Sequence, residues 1–150
     1  MVTARQKALV LSSWDLIRPV AAQVAELFYD RLFELDPSLE DLFPGDLSGQ
    51  GPKFMRAIGL AVSGLDAPEV QRPFLQELAR RHLAYGVKSG HYVTLGKALL
   101  WTLEQSLAEA FTPPVRDAWA AVYLSLSSVM LDAVEEREGL PSPKPTQLAM

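Results

Sequence analysis

Cysteine is absent from the 150 residues. Its absence removes disulfides, thiolate metal sites and thiol catalysis together, and it fits a reducing compartment. Histidine is almost as scarce, with only His82 and His91 in the chain. A zinc centre needs three or four converging nitrogen, sulfur or oxygen ligands. No His-x-x-x-His or cysteine pair exists to begin one. Basic charge is also short: 14 Lys and Arg against 18 Asp and Glu leave a net charge of −4. Nucleic-acid binding needs a basic stripe and is disfavoured. No apolar run approaches the roughly 20 residues that span a bilayer. The opening Met1-Val2-Thr3-Ala4-Arg5-Gln6 has no basic-then-apolar secretory pattern. A cytoplasmic protein with no membrane and no nucleic-acid partner is expected. No glycine-rich phosphate loop follows a strand, and Gly-x-Ser-x-Gly does not occur.

Helical periodicity dominates, and no segment reads as a strand. Thr3 suits the cap of a first helix bearing Leu11, Trp14 and Ile17, with Pro19 at its boundary. A second helix places Val20, Val24, Leu27-Phe28 and Leu32 on one stripe and ends near Leu35. Asp36-Pro37 opens a short third helix ending near Phe43-Pro44-Gly45. Residues 44–49 read as a loop. A fourth helix begins about Ser48, carries Phe54, Ile58 and Val62, and closes at Gly64. Ala67-Pro68 opens a fifth, with Leu75, Leu78 and His82 on one face and Gly86 as its stop. Ser89 starts a sixth with Tyr92, Leu95, Leu99 and Leu103. Thr112-Pro113-Pro114 starts the last, through Trp119, Tyr123, Met130 and Val134 to Gly139. The expectation is one all-α domain over residues 1–139, with about seven helices. A Pro-rich, disordered tail over 140–150, with Pro141, Pro143 and Pro145, follows.

His82 lies one turn after Leu78 on the apolar face, with Arg80 and Arg81 beside it toward solvent. A lone apolar-face histidine is more often a hydrogen-bonded core residue than a ligand. A metal held by a single histidine must take its other ligands from elsewhere. A porphyrin supplies four nitrogens itself, so the composition permits haem more readily than a protein-only metal centre.

The order of residues resembles the globin family, and within it the neuroglobins and single-domain bacterial haemoglobins, across about residues 5–134. Leu78-Ala79-Arg80-Arg81-His82-Leu83-Ala84-Tyr85-Gly86-Val87 is similar to the family's proximal-histidine helix and its exit turn. Leu27-Phe28-Tyr29-Asp30-Arg31-Leu32-Phe33, then Pro37 and Leu42-Phe43-Pro44, resembles the second and third helices and the corner after them. Phe111-Thr112-Pro113, Asp117-Ala118-Trp119 and Tyr123 match the final helix. Each motif is weak alone; in order and at family spacing they are specific.

The resemblance implies a fold of helices around one haem b (iron protoporphyrin IX), with iron on His82. The second ring N–H of His82 is expected to donate to a backbone carbonyl one turn earlier, that of Leu78. Phe43 matches the phenylalanine that packs on the porphyrin. Gln50 falls at the distal position facing the iron, and Phe54 falls one turn later. Pro52 is compatible with a first helical turn. Lys53 stands where a basic residue reaches a propionate. Tyr29 falls above the ligand, Val87 at the haem edge and Tyr92 on the proximal side. His91 reads as a surface or structural residue.

The function implied is reversible binding of dioxygen, CO or NO, with Tyr29 and Gln50 as hydrogen-bond donors. Glutamine is a poor iron ligand, so no bis-histidine state is expected. Water, hydroxide or a displaced Tyr29 would be the ferric sixth ligand. The alternative is an enzyme that oxidises nitric oxide or reduces nitrite. Flavohaemoglobins use a proximal Tyr–Glu pair; here Tyr92 matches, but Val134 stands at the glutamate's place, with Glu135 one residue off. The chain ends before any flavin or nicotinamide domain, so turnover would need an external reductase. A haem-free interaction module is a third reading. A monomer or weak homodimer is expected.

Overall fold

A computed structural model describes residues 2–43 and 49–138, with side chains described to Glu135. Among these residues the chain forms six α-helices and no strand. Helix α1 (Ala4–Ile17) starts at a reciprocal cap. The Gln6 N–H donates to Thr3 Oγ1 at 3.1 Å, and the Thr3 N–H donates to Gln6 Oε1 at 3.0 Å. Two otherwise orphaned donors are thereby satisfied. Pro19 falls in a 3₁₀ turn, Arg18–Val20, which turns the chain into α2 (Ala21–Leu35).

The expected third helix is a 3₁₀ segment, Pro37–Leu42. Asp36 caps it by accepting from the Ser38 N–H at 3.1 Å. Its turns close by bonds three residues apart, Leu39 N–H to the Asp36 carbonyl at 3.1 Å and Phe43 N–H to the Glu40 carbonyl at 3.0 Å, the tighter winding found in short pieces. The expected seven helices are therefore six α-helices and this 3₁₀ segment.

Helix α3 (Gln50–Ser63) begins at Gln50 and takes Pro52 into its first turn, where no intrahelical N–H is needed. Its expected beginning, Ser48, and Pro44 lie outside the described residues, as do Gly139 and the tail. Helix α4 (Pro68–Tyr85) runs through Pro73 and ends at Gly86, whose φ of +99° is a left-handed stop that favours glycine. Helix α5 spans Ser89–Leu107, and α6 spans Pro113–Glu138. No described helix is long and apolar enough to cross a membrane.

The main pairings are α2 across α5, and α1 and α4 against α6. Val10, Ile17, Phe28, Leu32, Leu103, Trp119 and Val122 belong to the larger core. Each fully buried aliphatic side chain there contributes about 1.5–3 kcal/mol. The Trp119 indole N–H donates to Ser13 Oγ at 2.8 Å, and the Ser13 hydroxyl donates to the Leu9 carbonyl at 2.8 Å. Burial of these polar groups thus leaves none unpaired. Leu75, Ala79, Val87, Tyr92, Met130 and Val134 form a second core beneath α4. A cavity opens between the two.

Candidate functional site

The cavity encloses about 610 Å³, within the range of cofactor pockets. All eight residues expected at the site line it: Tyr29, Phe43, Gln50, Lys53, Phe54, His82, Val87 and Tyr92.

One wall is built on α4. Leu75, Leu78 and His82 recur at helical spacing, so the apolar stripe that docks the helix also presents the imidazole. The expected hydrogen bond is present: His82 Nδ1 lies 2.7 Å from the Leu78 carbonyl. A carbonyl only accepts, so Nδ1 carries the proton and Nε2 keeps its lone pair. Burial pushes the His82 pKa down, with the Leu78 contact acting in the opposite sense. The imidazole is therefore neutral, the form that binds metals. Tyr92 lies beside it, ring centroids 6.4 Å apart and tilted by 32°. The Tyr92 hydroxyl is buried without a partner, and Val134 belongs to the same apolar cluster. Burial pushes the Tyr92 pKa up to about 12.

The opposite wall comes from α2, the Pro37–Leu42 segment and the first turns of α3. Tyr29 is buried, its pKa pushed up to about 12 by desolvation, so it remains a phenol and a hydrogen-bond donor at neutral pH. Gln50 Oε1 is buried without a partner. Phe28, Tyr29 and Phe54 close a triangle. Phe28 stacks on Phe54 at 4.0 Å and 14°, and meets Tyr29 edge-on at 5.2 Å. Tyr29 meets Phe54 at 5.8 Å and Phe43 at 5.5 Å. Each such pair contributes about 0.5–1.5 kcal/mol beyond its buried area.

The rim is basic. Lys53 and Arg56 come from α3, Arg81 from α4 and His91 from α5. Arg81 and His91 were not expected at the cavity. Arg81 reads as solvent-facing in sequence, and it is half-exposed, 3.5 Å from Glu77, while still lining the mouth. His91 keeps a structural role too, its Nδ1 accepting from the Lys88 N–H at 2.9 Å. Its Nε2 lies 3.9 Å from Asp36 Oδ2. Phe28 and Arg56 were also missed as site residues. Arg56 follows Lys53 by three positions on one helix face, which is the spacing that could have identified it.

The donor set is one free imidazole nitrogen. Among the described residues no group of three or more His, Asp or Glu could hold a metal ion. A metal here must bring most of its ligands with it, as iron in a porphyrin does. An apolar slot with a basic rim suits a flat, apolar ring bearing carboxylates. The unpartnered Gln50 Oε1 and Tyr92 hydroxyl, one on each wall, mark polar atoms left for a bound group to meet.

The Globin family model matches residues 26–130. The chain is 32% identical to neuroglobin of Danio rerio over 143 aligned positions, covering 86% of this chain and 90% of that one. It is 32% identical to neuroglobin of Tetraodon nigroviridis, covering 81% and 86% respectively. A flavohemoprotein of Bordetella parapertussis is 30% identical across 87% of this chain, which spans 33% of that protein's length. With the helical architecture and the histidine-bearing cavity, these matches establish that the chain belongs to the globin family.

Proposed function

We propose that this globin binds dioxygen and other diatomic gases reversibly on a haem b held by His82. Membership of the family implies a haem and diatomic-gas binding. The observation that carries the proposal is the His82–Leu78 hydrogen bond, which leaves Nε2 as the free ring nitrogen in an apolar cavity. A bound haem supplies an iron centre with a position open to a small gas.

The chain's own residues then have distinct tasks. The Leu78 carbonyl fixes the His82 tautomer and raises its basicity. Lys53, Arg56 and Arg81 stand where carboxylates at the ring edge would meet positive charge. Phe43, Phe54 and Val87 offer apolar surface to the ring and exclude water. Tyr29 and Gln50 offer an O–H and an amide N–H to a polar gas from the wall opposite His82.

Reversible binding is favoured over oxidation of nitric oxide by the proximal side. Tyr92 is buried with no carboxylate paired to its hydroxyl, and Val134 packs in its cluster. His82 Nδ1 therefore has a neutral carbonyl for its partner and no carboxylate to make the imidazole more electron-rich. Catalytic turnover would depend on a reductase partner. The cytoplasm is the proposed compartment, in keeping with the chain's lack of cysteine.

The test is a visible spectrum of the chain supplied with haem, in ferric, ferrous and CO-treated forms. A Soret band that shifts on CO addition is expected. His82→Gly should abolish the native ferrous spectrum, and added imidazole should restore it. Failure to take up haem, or a spectrum indifferent to His82→Gly, overturns the proposal.

A further inference from the structure

We infer that Phe28, a residue of the second helix, sets the upper size of ligand this globin admits by locking Phe54 in place; the inference rests on the haem reading above. Phe54 follows Gln50 by one turn on α3, so both face the cavity from the wall opposite His82. Phe28 is 2% exposed and has no polar atom to offer a ligand. Its ring lies almost parallel to Phe54, 4.0 Å between centroids and 14° between planes.

Tyr29 completes the lock. It meets Phe28 at 77° and Phe54 at 63°, so each of the three rings touches the other two. Phe54 cannot swing aside without breaking its stack on Phe28 and its edge contact with Tyr29 together. A diatomic gas needs no such movement. A bulkier ligand that presses on Phe54 does, and carries the cost of both contacts, a handicap of about tenfold to a hundredfold in equilibrium. The Phe28–Phe54 stack is therefore a size filter, distinct from the donors Tyr29 and Gln50, which sense polarity.

The position of Phe28 makes it a positioning residue. Phe28 lines the cavity too, and its effect on the ligand runs chiefly through the Phe54 ring it holds, so removing either ring should open the same space. The two substitutions should then not add, because the second removes a constraint the first has already released.

The experiment uses the haem-loaded protein and two probes: imidazole for the ferric form and carbon monoxide for the ferrous form. Titrations are followed by the visible spectrum. Phe28→Leu keeps apolar bulk without a flat face. It should raise imidazole affinity relative to CO affinity by about tenfold or more. Phe54→Leu should raise the ratio at least as far, and the double variant no further than Phe54→Leu alone. An unchanged ratio in Phe28→Leu, or full additivity in the double variant, overturns the inference. If Phe28→Leu does not fold, Phe28→Met, which also lacks a flat face, decides: a raised ratio supports the inference and an unchanged ratio overturns it. Loss of the CO spectrum in the unmodified protein would instead reject the haem reading, so the two failures are distinguishable.

Discussion

The Tyr123 hydroxyl donates to the backbone carbonyl of Tyr92, which ties α6 to the first turns of α5 beside the proximal wall. The ring reaches that carbonyl across Gly96, where a Cβ would stand 2.7 Å from Tyr123 Cε2. Gly96→Ala is therefore expected to lower stability by about 1–3 kcal/mol, the usual cost of overpacking. Gly90 is the control on the same helix, since a Cβ there meets nothing within 4 Å. Gly90→Ala should be neutral or stabilise by up to about 1 kcal/mol through reduced backbone entropy. Urea unfolding of the two variants checks the opposite signs.

Tyr29 carries a phenolic proton across the physiological range, because burial holds its pKa at about 12. A hydrogen bond to a ligand bearing partial charge contributes about 1.5–3 kcal/mol. Tyr29→Phe should speed dioxygen release by about tenfold to a hundredfold, with a smaller effect on carbon monoxide. Stopped-flow replacement of dioxygen by CO measures it; equal release rates would exclude Tyr29 as a donor.

The pH dependence of His82 follows from its depressed pKa in the fold, below the ordinary 6.5. The unfolded chain takes up that proton at higher pH than the folded one. The stability contributed by the neutral imidazole is complete above 6.5 and is lost as pH falls through the folded-state pKa. In haem-free protein, the stability gap between wild type and His82→Gln should narrow as pH falls from 6.5 to the folded-state pKa, by up to about 1.4 kcal/mol per pH unit, and stay level below it. Paired urea titrations from neutral to mildly acidic pH read the gap directly.

Val134 and Tyr92 give a prediction about the proximal side. Val134 is 6% exposed in the cluster that contains Tyr92, whose hydroxyl has no partner. Val134→Glu should cost stability through burial of a carboxyl group. The cost should be about 1 kcal/mol larger when Tyr92→Phe is also present, because the hydroxyl is then missing as a donor. A double-mutant cycle measures this coupling. In the haem-loaded Val134→Glu protein the midpoint potential should fall, since added negative charge near the imidazole favours the ferric state.

Much of the architecture was legible in sequence because its boundaries are chemical. Thr3, Ala67-Pro68, Gly86 and Thr112-Pro113 each impose a start or a stop through local backbone chemistry. The Pro37–Leu42 segment was less legible, because apolar spacing over six residues does not separate 3₁₀ from α winding. The expectations at His82, Tyr29 and Gln50 came only through a resemblance spread over about residues 5–134. The Phe28–Phe54 stack was hidden because a phenylalanine on an apolar stripe reads as ordinary core. Gly96 and Tyr123 were hidden for a related reason: their fit exists only once α5 and α6 meet. Arg81 and His91 reach the cavity mouth from helix faces that look solvated in isolation.

Gln71 is buried on the second turn of α4, and its amide N–H donates to the Ala61 carbonyl at the end of α3. Elsewhere the two helices have few direct contacts among the described residues, since the cavity separates them. A group bound in this cavity would therefore bridge two helices that otherwise meet mainly through Gln71, and its binding would stabilise the chain according to its affinity and concentration.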